Sequence, residues 1–400
     1  MQIVFVCAEY PINERHTGGF GSYVRNIAVS LSRLGHLVTI ICQGEEKKII
    51  FEGNIEIRVM PVLINAIIES DNSLIKKAIL RSLLFFQYPF WFCLQVYQEL
   101  AQLVASRKVD VIEGGDFGAE LFLYLLLRGN TRPSVIIKLH TPSFLIRENN
   151  QEEKTVFYRV LEKMEKFCIT RADAIYSPSR SLARIINSRF NCTISAIIPY
   201  PVMLHAKKIT KSTRSKTILY VGKIQRKKGV FVLADALIQV LQEFPKIKFL
   251  FVGPDTQESQ ISTTQRLRKK LKKYLGQVSF LPPLSQLQLT QYYRKALMTV
   301  VPSIWENYPN VILEAIMHGS PVIATNTGGI PELITNHKTG FLVAPNNSRQ
   351  LAKAIIKLIQ QKGLRLALSR AAQKYLKKKL EPNKIALRTL KFYSRLNYGK

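Results

Sequence analysis

Two glutamates lie on either side of a predicted helix start in residues 302–332, PSIWENYPNVILEAIMHGSPVIATNTGGIPE. Pro309 suits the first helical position, and a helix is predicted over residues 311–318. Unpaired N–H groups at a helix start attract phosphate or hydroxyl oxygens, and the carboxylates of Glu306 and Glu314 can accept hydrogen bonds from the paired hydroxyls of a ribose or hexose. The stretch therefore predicts a ligand site, with the alternative that both glutamates only stabilise the helix start through its dipole.

A basic glycine turn is the second candidate for chemistry. The predicted strand at residues 218–221 ends at Gly222, and the basic loop 223–228 leads to Gly229 and a predicted helix. An ammonium group beside such a turn can neutralise a diphosphate, to which the helix start adds its dipole. Lys228 is therefore a better phosphate-binding candidate than the lysines of the other basic runs, which fit solvated helix faces. The pattern GxxxxGK followed by Ser or Thr is absent, so a Walker-type nucleotide hydrolase is excluded.

The first half of the chain adds a glycine loop and a histidine. Gly18 and Gly19 follow an apolar run, residues 2–8, and precede a predicted helix, but the glycines do not spell GxGxxG. Such a glycine turn has either a purely structural role or lets the backbone come close to a ligand. His140 follows the predicted strand at residues 134–139, at the carboxyl end where functional residues of parallel sheets lie. A structural histidine is the alternative there.

The length and composition predict a two-domain globular protein. At 400 residues the chain exceeds the size at which one hydrophobic core stops growing, and 47% of its residues are apolar. The net charge of +31 is uneven: residues 1–200 contain 23 Lys and Arg against 19 Asp and Glu, whereas residues 201–400 contain 35 against 8. This charge favours phosphate-bearing partners, which include nucleotides, nucleic acids and anionic lipid surfaces.

Cysteine usage and hydropathy predict a cytoplasmic protein. The five cysteines are scattered without close pairs, which indicates buried thiols in a reducing compartment rather than a disulfide framework or a zinc site. We expect no signal peptide and no transmembrane segment, because the strongly apolar run at residues 83–94 is shorter than the ~20 residues that a spanning helix needs. In the predicted helical region 74–106, expected to break near Pro89, aromatic residues adjoin basic ones. This suits a membrane interface, and a core helix is the alternative.

Strand and helix patterns alternate along both halves of the chain. Near-continuous apolar runs are typical of strands buried on both faces of a parallel sheet, and helical patterns follow them. A passage rich in Pro, Lys, Ser and Thr, residues 200–216, separates two such series. The prediction is an α/β protein with two doubly wound domains facing a central cleft.

Local motifs spread over most of the chain resemble those of one family. They are Gly18-Gly19, the GH at Gly35-His36, KLHTP around His140, VGKIQRKKG at 221–229, VGPD at 252–255, PSIWEN at 302–307, the Glu306 and Glu314 pair, and GGIPE at 328–332. In order and spacing the set resembles glycosyltransferase family 4, the retaining, sugar-nucleotide-dependent transferases of GT-B fold with Rossmann-like domains. The resemblance implies an acceptor-side domain at residues 1–200 and a sugar-nucleotide-binding domain at 201–379. A C-terminal helix, about 380–400, would pack back on the first domain.

The resemblance also implies a role for each candidate residue. Glu314 would bind the ribose hydroxyls, and Glu306 would hold the hydroxyls of the donor sugar. Lys228 would neutralise the diphosphate leaving group, the Gly19 backbone would approach the phosphates from the other domain, and His140 would lie against the donor sugar near the reacting centre. The further substrate-binding candidates are Gly18, Gly222, Arg226, Asn307, Tyr308, Pro309 and Asn310.

The chain departs from the family at one position. Where the family has Arg beside the first glycine of the basic turn, this sequence has Lys223, which keeps the charge but loses the bidentate fork. Arg226, three residues on, could compensate. Lys223 and Lys228 would stabilise the departing phosphate without a metal, and the sequence has no DxD cluster to bind one. The predicted catalytic residues are therefore Lys228, Lys223, His140 and Glu306, with no cofactor.

The implied reaction moves a hexose from a UDP- or GDP-linked donor to a saccharide or lipid-linked acceptor, with retention of anomeric configuration. Its product would belong to a cell-surface polysaccharide or a glycolipid. The positive charge adds the hypothesis that this cytoplasmic protein docks peripherally on the inner face of the cytoplasmic membrane.

Two other functions fit parts of the sequence. A sugar-nucleotide epimerase of similar fold would bind the same nucleotide without transferring anything, but the two glutamates together with the Lys228 loop favour a transferase. A nucleic-acid-binding protein would use the basic half of the chain. No nucleic-acid motif is visible, and the aromatic residues are not interleaved with the basic runs, so no nucleic-acid partner is expected.

Overall fold

The computed structural model describes residues 1–12, 19–62, 74–129, 133–150, 153–202, 216–258 and 261–397. They form two compact units, each with its own parallel sheet. The first unit comprises the described parts of Met1–Asn13, Thr17–Pro201 and Pro382–Lys400, and the second is built from Val202–Glu381. The predicted fold class, two parallel-sheet α/β domains, is confirmed.

Sixteen strands are present in the described residues. In chain order they are β1 (Gln2–Val6), β2 (Leu37–Gly44), β3 (Lys48–Glu52), β4 (Ile55–Pro61), β5 (Val111–Gly115), β6 (Ser134–Lys138), β7 (Ala174–Ser177), β8 (Ala196–Ile197), β9 (Thr217–Val221), β10 (Lys248–Val252), β11 (Gln257–Glu258), β12 (Ile261–Ser262), β13 (Val278–Leu281), β14 (Met298–Val301), β15 (Val322–Thr325) and β16 (Phe341–Val343).

The same residues contain thirteen α-helices. They are α1 (Gly19–Arg33), α2 (Leu74–Ser106), α3 (Phe122–Leu127), α4 (Ser143–Asn150), α5 (Val156–Arg171), α6 (Arg180–Phe190), α7 (Val230–Glu243), α8 (Thr263–Lys270), α9 (Gln286–Lys295), α10 (Asn310–Met317), α11 (Ser348–Gln360), α12 (Lys362–Lys379) and α13 (Pro382–Asn397).

The first sheet has the order β3-β4-β2-β1-β5-β6-β7-β8. Its neighbouring strands are parallel except for β3 and β4, which form an antiparallel pair. The central strands β5 and β6 are buried along their whole length, as expected for strands covered on both faces. Since β5 and β6 end at the same edge, the residues that follow them, Asp116 and His140, lie close together. Helix α13 packs against α1 in this unit.

The second sheet has six parallel strands in the order β13-β10-β9-β14-β15-β16. Strands β9 and β14 are direct neighbours, with Ile218 opposite Met298. The core of this unit is apolar and includes one face of α7, which packs against α11. Because β9 and β14 point the same way, the loops that leave their carboxyl ends lie side by side.

Several predicted elements differ from the structure. The helical region 74–106 is one continuous helix, so the predicted break near Pro89 is wrong: a single proline removes one backbone hydrogen bond, and the helix continues on both sides of it. The sequence also predicts a helix over residues 152–170. In the structure it begins at Val156, because Thr155 caps its start by accepting from the backbone N–H of Tyr158. The short hairpin strand β3 was not predicted.

Within the residues that the structure describes, none of the helices combines the length and hydropathy required to cross a membrane.

Candidate active site

Two loops leave neighbouring strands of the second sheet at the same edge. The lysine turn, residues 222–229, follows β9, and the glutamate loop, residues 302–309, follows β14. The backbone N–H of Ile304 donates to the carbonyl of Lys227 at 2.8 Å, so the two loops are bonded to each other. In doubly wound sheets, ligands bind at this edge.

Glycines allow the lysine turn to pack closely against its neighbours. Gly229 has a φ of +71°, and a Cβ at this position would lie 1.9 Å from the carbonyl oxygen of Pro302. Gly253 has a φ of +146°, and its Cβ would lie 2.1 Å from the carbonyl oxygen of Gly222. A side chain fits at neither position, so these glycines determine how close the loops come.

An ion pair joins the two loops. Lys228 Nζ donates to Oε1 of Glu306, and Ser303 Oγ donates to the same oxygen at 3.1 Å. The Lys228 and Glu306 side chains are 25% and 15% exposed, so a ligand can reach both. Among the described residues, the other carboxylate oxygen of Glu306, Oε2, has no hydrogen-bond partner. Hydrogen bonds within the protein therefore fix the position of the pair, and Glu306 Oε2 can still accept a hydrogen bond from a ligand.

A third loop holds the backbone of the glutamate loop. The N–H of Gly329 donates to the carbonyl of Glu306 at 2.9 Å. Gly328 has a φ of +54°, and a Cβ there would lie 1.9 Å from the same carbonyl oxygen. Thr325, at the end of β15, donates from Oγ1 to the carbonyl of Ser303 at 2.5 Å. The GGIPE motif thus fixes the position of Glu306.

Helix α10 begins directly after the glutamate loop. Asn307, Tyr308 and Pro309 are buried, and Asn310 is the first helical residue. Pro309 was predicted at the first helical position, but it lies at the N-cap with φ −71° and ψ 115°, and its carbonyl accepts from Ile312 at 3.1 Å. A proline side chain has no acceptor for the N–H groups of the first turn, so it does not cap them.

Glu314 lies in α10 and is half-buried. Tyr293 of α9 donates to its Oε2 at 2.9 Å. Desolvation raises the pKa of Glu314 above its ordinary value, and the hydrogen bond from Tyr293 opposes this shift. The Tyr293 ring stacks on His318, with centroids 6.0 Å apart. Glu314 is therefore oriented by a buried tyrosine, with its carboxylate partly removed from water.

The other two basic candidates in the lysine turn, Lys223 and Arg226, have exposed side chains. Tyr220 donates from its hydroxyl to the carbonyl of Lys223 at 2.7 Å, which fixes the backbone of the turn. The Arg226 guanidinium lies 5.2 Å from the centroid of Phe231, in the first turn of α7, and the Arg266 guanidinium lies 4.8 Å from the same ring. Whether Arg226 compensates for the family's missing arginine stays a prediction.

His140 lies at the carboxyl edge of the first sheet. Its backbone N–H donates to Oδ1 of Asp116 at 2.8 Å, and its Nδ1 lies 2.7 Å from the hydroxyl of Tyr200. The ring of Phe20 lies 5.8 Å from the imidazole. Asp116 is fully buried, and this desolvation raises its pKa from 3.8 to about 7, although the backbone N–H groups of His140 and Thr141 oppose the shift.

Gly19 is the first residue of α1, and Gly18 lies outside the described residues. The first turn of α1 lies against the backbone that follows β1, because a Cβ on Gly21 would lie 2.1 Å from the carbonyl oxygen of Glu9. Gly21 therefore has a structural role at this helix start.

Four side chains that hold the candidate residues were not predicted from the sequence: Ser303, Tyr293, Asp116 and Tyr200. Asp116 and Ser303 had a usable signal, since each lies within two residues of a strand's carboxyl end. Tyr293 and Tyr200 had no comparable signal, because their contacts depend on segments that are far apart in sequence.

Two family models match the chain. The model described as Glycosyltransferase Family 4 matches residues 17–202, and the one described as Glycosyl transferases group 1 matches residues 204–375.

Curated relatives match part of the chain. A D-inositol 3-phosphate glycosyltransferase of Corynebacterium jeikeium is 34% identical over 162 residues, which is 40% of this chain and 39% of that protein. A glycogen synthase of Mycobacterium tuberculosis is 24% identical over 247 residues, 60% of this chain and 59% of that protein. The chain thus spans less than two thirds of the length of either relative.

Solved structures match the fold over the whole chain. A sucrose-phosphate synthase from Thermosynechococcus elongatus has a TM-score of 0.77 at 19% identity and covers 100% of both chains. HepE from Anabaena, solved in complex with UDP, has a TM-score of 0.69 at 18% identity and covers 99% of this chain and 100% of its own. The two family models together account for most of the sequence, the resemblance is confirmed, and the chain belongs to glycosyltransferase family 4.

Proposed function

We propose that this protein is a retaining glycosyltransferase that moves a hexose from a nucleotide-diphosphate sugar to a saccharide or lipid-linked acceptor. The observation that supports it best is the ion pair between Lys228 and Glu306, which joins two loops at the ligand-binding edge of the second sheet. The Lys228 ammonium can bind phosphate oxygens, and the neighbouring Glu306 carboxylate can accept from sugar hydroxyls. The pair therefore suits a sugar diphosphate.

Lys228 is proposed to stabilise the leaving group. Among the described residues Nζ has one acceptor, Glu306 Oε1, and an ammonium carries three N–H donors. The remaining donors can bind diphosphate oxygens as negative charge builds on them. A fixed donor of this kind contributes about 3–4 kcal/mol to transition-state stabilisation. The exposed Lys223, on the same turn, adds a second positive charge.

The two glutamates are proposed to bind different parts of the donor. Glu306 Oε2 is the oxygen left to accept from a hydroxyl of the sugar, since Lys228 and Ser303 both donate to Oε1. Glu314 is proposed to accept from the ribose hydroxyls, oriented by Tyr293. The first-turn N–H groups of α10, near Asn310, add donors for the same ligand. In this arrangement the glutamates bind substrate and are not an acid–base pair.

A UDP-linked hexose is the proposed donor. HepE was solved with UDP-glucose, and an E. coli structure of this fold was solved with UDP-2-fluoro glucose, at TM-scores of 0.69 and 0.68.

We also propose that no metal is needed, because Lys228 and Lys223 supply positive charge at the diphosphate. Transfer that persists undiminished in EDTA would support this, and loss that Mg²⁺ or Mn²⁺ restores would contradict it.

Thermal unfolding with a panel of sugar nucleotides tests the donor site. A ligand at 100 times its Kd stabilises the folded state by about 2.7 kcal/mol, which gives a clear rise in Tm. We expect a UDP-sugar to produce the largest rise, and no rise with any sugar nucleotide would overturn the proposal.

Product analysis then separates the transferase from an epimerase. A transferase joins the sugar to an added acceptor with the anomeric configuration of the donor, which NMR of the product reports. An epimerised donor with no glycosylated product would contradict transfer, and an inverted linkage would contradict retention.

A further inference from the structure

Tyr200 lies against His140 in the first unit. Its hydroxyl is 2.7 Å from Nδ1 of the imidazole, and the two rings stack with an interplanar angle of 21° at a centroid distance of 6.2 Å. Tyr200 is almost fully buried. A buried phenol normally has a specific hydrogen-bond partner, and here a ring nitrogen of His140, which the sequence predicts to be catalytic, lies within hydrogen-bond distance of the hydroxyl.

A second contact ties the same two segments together. Lys138 lies two residues before His140, and its Nζ donates to the carbonyl of Ile198, two residues before Tyr200, at 2.6 Å. Lys138 is fully buried, and its ammonium lies 3.9 Å from the centroid of the Tyr176 ring and 5.4 Å from that of Tyr200. Residues 138–140 and 198–200 are therefore joined at two points.

Helix α1 holds the Tyr200 segment from a further side. Asn26 donates from Nδ2 to the carbonyl of Pro201 at 3.3 Å, and the Tyr23 ring lies 4.8 Å from the ring of Tyr200. Tyr23 in turn donates to Oε1 of the buried Glu113 at 2.8 Å. The phenol that contacts His140 thus belongs to a rigid buried cluster, which leaves it little freedom to move.

The backbone of His140 is fixed separately from its ring. Asp116 Oδ1 accepts the N–H groups of His140 and Thr141 at 2.8 and 3.2 Å. This carboxylate therefore sets the main chain, while the Tyr200 hydroxyl contacts the imidazole itself and restricts its rotation.

We propose that Tyr200 is a positioning residue for His140, whose hydroxyl donates to Nδ1 and so places the imidazole proton on Nε2. In a neutral imidazole one nitrogen donates and the other accepts, so a donor at Nδ1 selects the tautomer with N–H at Nε2. This rests on the proposed function together with the role that the family resemblance implies for His140, which is to lie against the donor sugar. Tyr200 would then set both the orientation and the tautomer of the His140 imidazole.

The tautomer is measurable without activity. In protein labelled with ¹⁵N-histidine, the His140 ring signals are identified as those lost in His140→Gln. We expect Nε2 to be protonated and Nδ1 to be an acceptor, and we expect the Nδ1 signal to shift in Tyr200→Phe. A wild-type ring with its proton on Nδ1, or a Nδ1 signal unchanged in Tyr200→Phe, would overturn the proposal.

A matched variant separates positioning from packing. Tyr393 is also fully buried and donates to Glu113, and no described contact joins it to His140, so Tyr393→Phe removes a hydroxyl from the same buried cluster without removing a contact to the imidazole. We expect Tyr200→Phe to lower kcat about tenfold with the KM for the donor within about twofold, the size of one lost hydrogen bond, and Tyr393→Phe to leave both near wild type. Equal kinetic losses in both would overturn the proposal.

Failure of the proposed function is distinguishable from failure of this inference. If the wild-type protein transfers no sugar, the proposed function is wrong. The imidazole signals still show whether Tyr200 sets the His140 tautomer.

Discussion

Lys228 and Glu306 form a pair whose position indicates a role in binding rather than in folding. Both side chains are partly exposed, and exposed ion pairs contribute at most about 1 kcal/mol to stability. Three loops nevertheless converge on this pair through backbone hydrogen bonds and close glycine contacts. Such positioning of a weakly stabilising pair is expected where a ligand uses both charges.

Lys228→Gln should therefore reduce transfer strongly and leave stability almost unchanged. Loss of one fixed donor at a leaving group lowers kcat by about 10²–10³. The measurement is steady-state transfer, with Tm as the stability readout. Lys269→Gln is the matched control, since Lys269 is exposed on α8 in the same unit and its loss changes net charge equally. Equal loss of activity in the two variants would show that only bulk charge matters.

Lys223→Arg tests the one departure from the family pattern. Lys223 is exposed on the lysine turn, and its backbone carbonyl is held by Tyr220, so a longer side chain has room and the turn stays fixed. Arginine adds a bidentate fork for phosphate, so the Kd for UDP should fall several-fold. Calorimetric titration with UDP measures it, and an unchanged or weaker Kd would mean that position 223 does not contact the diphosphate.

Asp116 makes the first unit sensitive to pH. Burial raises its pKa from 3.8 to about 7, and Oδ2 has no hydrogen-bond partner among the described residues. A carboxyl whose pKa is higher in the folded state stabilises the fold below the unfolded pKa, and that contribution is lost as pH rises through the folded pKa. Stability should therefore fall between about pH 4 and pH 7, by up to about 4 kcal/mol from this group.

Asp116→Asn should flatten that decline and unfold less readily than wild type at pH 8. The asparagine oxygen can still accept from His140 and Thr141, so the backbone geometry is retained. Denaturant unfolding at pH 5 and pH 8 provides the comparison. A variant with the same pH slope as wild type would assign the decline to other buried carboxyls, such as Glu165, whose pKa burial raises to about 8.

At the scale of elements, the relation between the lysine turn and the glutamate loop depends on one glycine. Gly229→Ala would place a Cβ 1.9 Å from the Pro302 carbonyl oxygen at a positive φ, so the loops would have to separate. We expect a loss of at least about 2 kcal/mol in unfolding free energy together with loss of UDP binding.

Gly276→Ala is the control for this variant. A Cβ at Gly276 would meet no atom within 4 Å, and the residue belongs to the same unit. Denaturant unfolding and UDP titration of both variants make the comparison. If Gly229→Ala bound UDP as well as Gly276→Ala does, close packing of the two loops would not be required for the site.

Much of each element was predictable, because the periodicity and turn signals are local. The strand before the lysine turn and the helix after the glutamate loop, predicted over residues 311–318, were both evident in the sequence. The contacts between elements were not. Lys228 meets Glu306 because β14 pairs with β9, although four other strands lie between them in the chain, and no local pattern encodes that order.

The contacts of Tyr293 and Tyr200 were not predicted for the same reason, since they also join elements that are far apart in sequence. Tyr293 meets Glu314 through the packing of α9 on α10, and Tyr200 meets His140 through the position of β8 at the sheet edge. An aromatic residue in a helix or after a strand has many equivalent uses, so its type and spacing do not indicate its partner.

For the molecule as a whole, the uneven charge supports a proposal about location. Residues 201–400 contain 35 Lys and Arg against 8 Asp and Glu. We propose that the protein is cytoplasmic and docks peripherally on an anionic membrane face, where a lipid-linked acceptor would be found. Each basic residue near such a surface adds about 1 kcal/mol of attraction, which salt weakens.

Cosedimentation with vesicles tests this proposal. Binding to vesicles containing an anionic lipid should be strong at low salt, decline as salt rises, and be weak for vesicles of a neutral lipid alone. Failure to bind anionic vesicles at low salt would contradict membrane docking.

Helix α13 returns the chain to the first unit, and this has a consequence for how the protein can be dissected. Tyr393 in α13 donates to the buried Glu113, so the first unit is incomplete without the last residues. The N–H of Val202 donates to the carbonyl of Leu380 at 3.1 Å, so the second unit starts and ends at neighbouring positions. In topological terms, residues 202–381 are an insertion between residues 201 and 382. The second unit is therefore suited to excision as a single fragment, whereas cutting the chain once at residue 201 leaves the first unit without a helix of its own core.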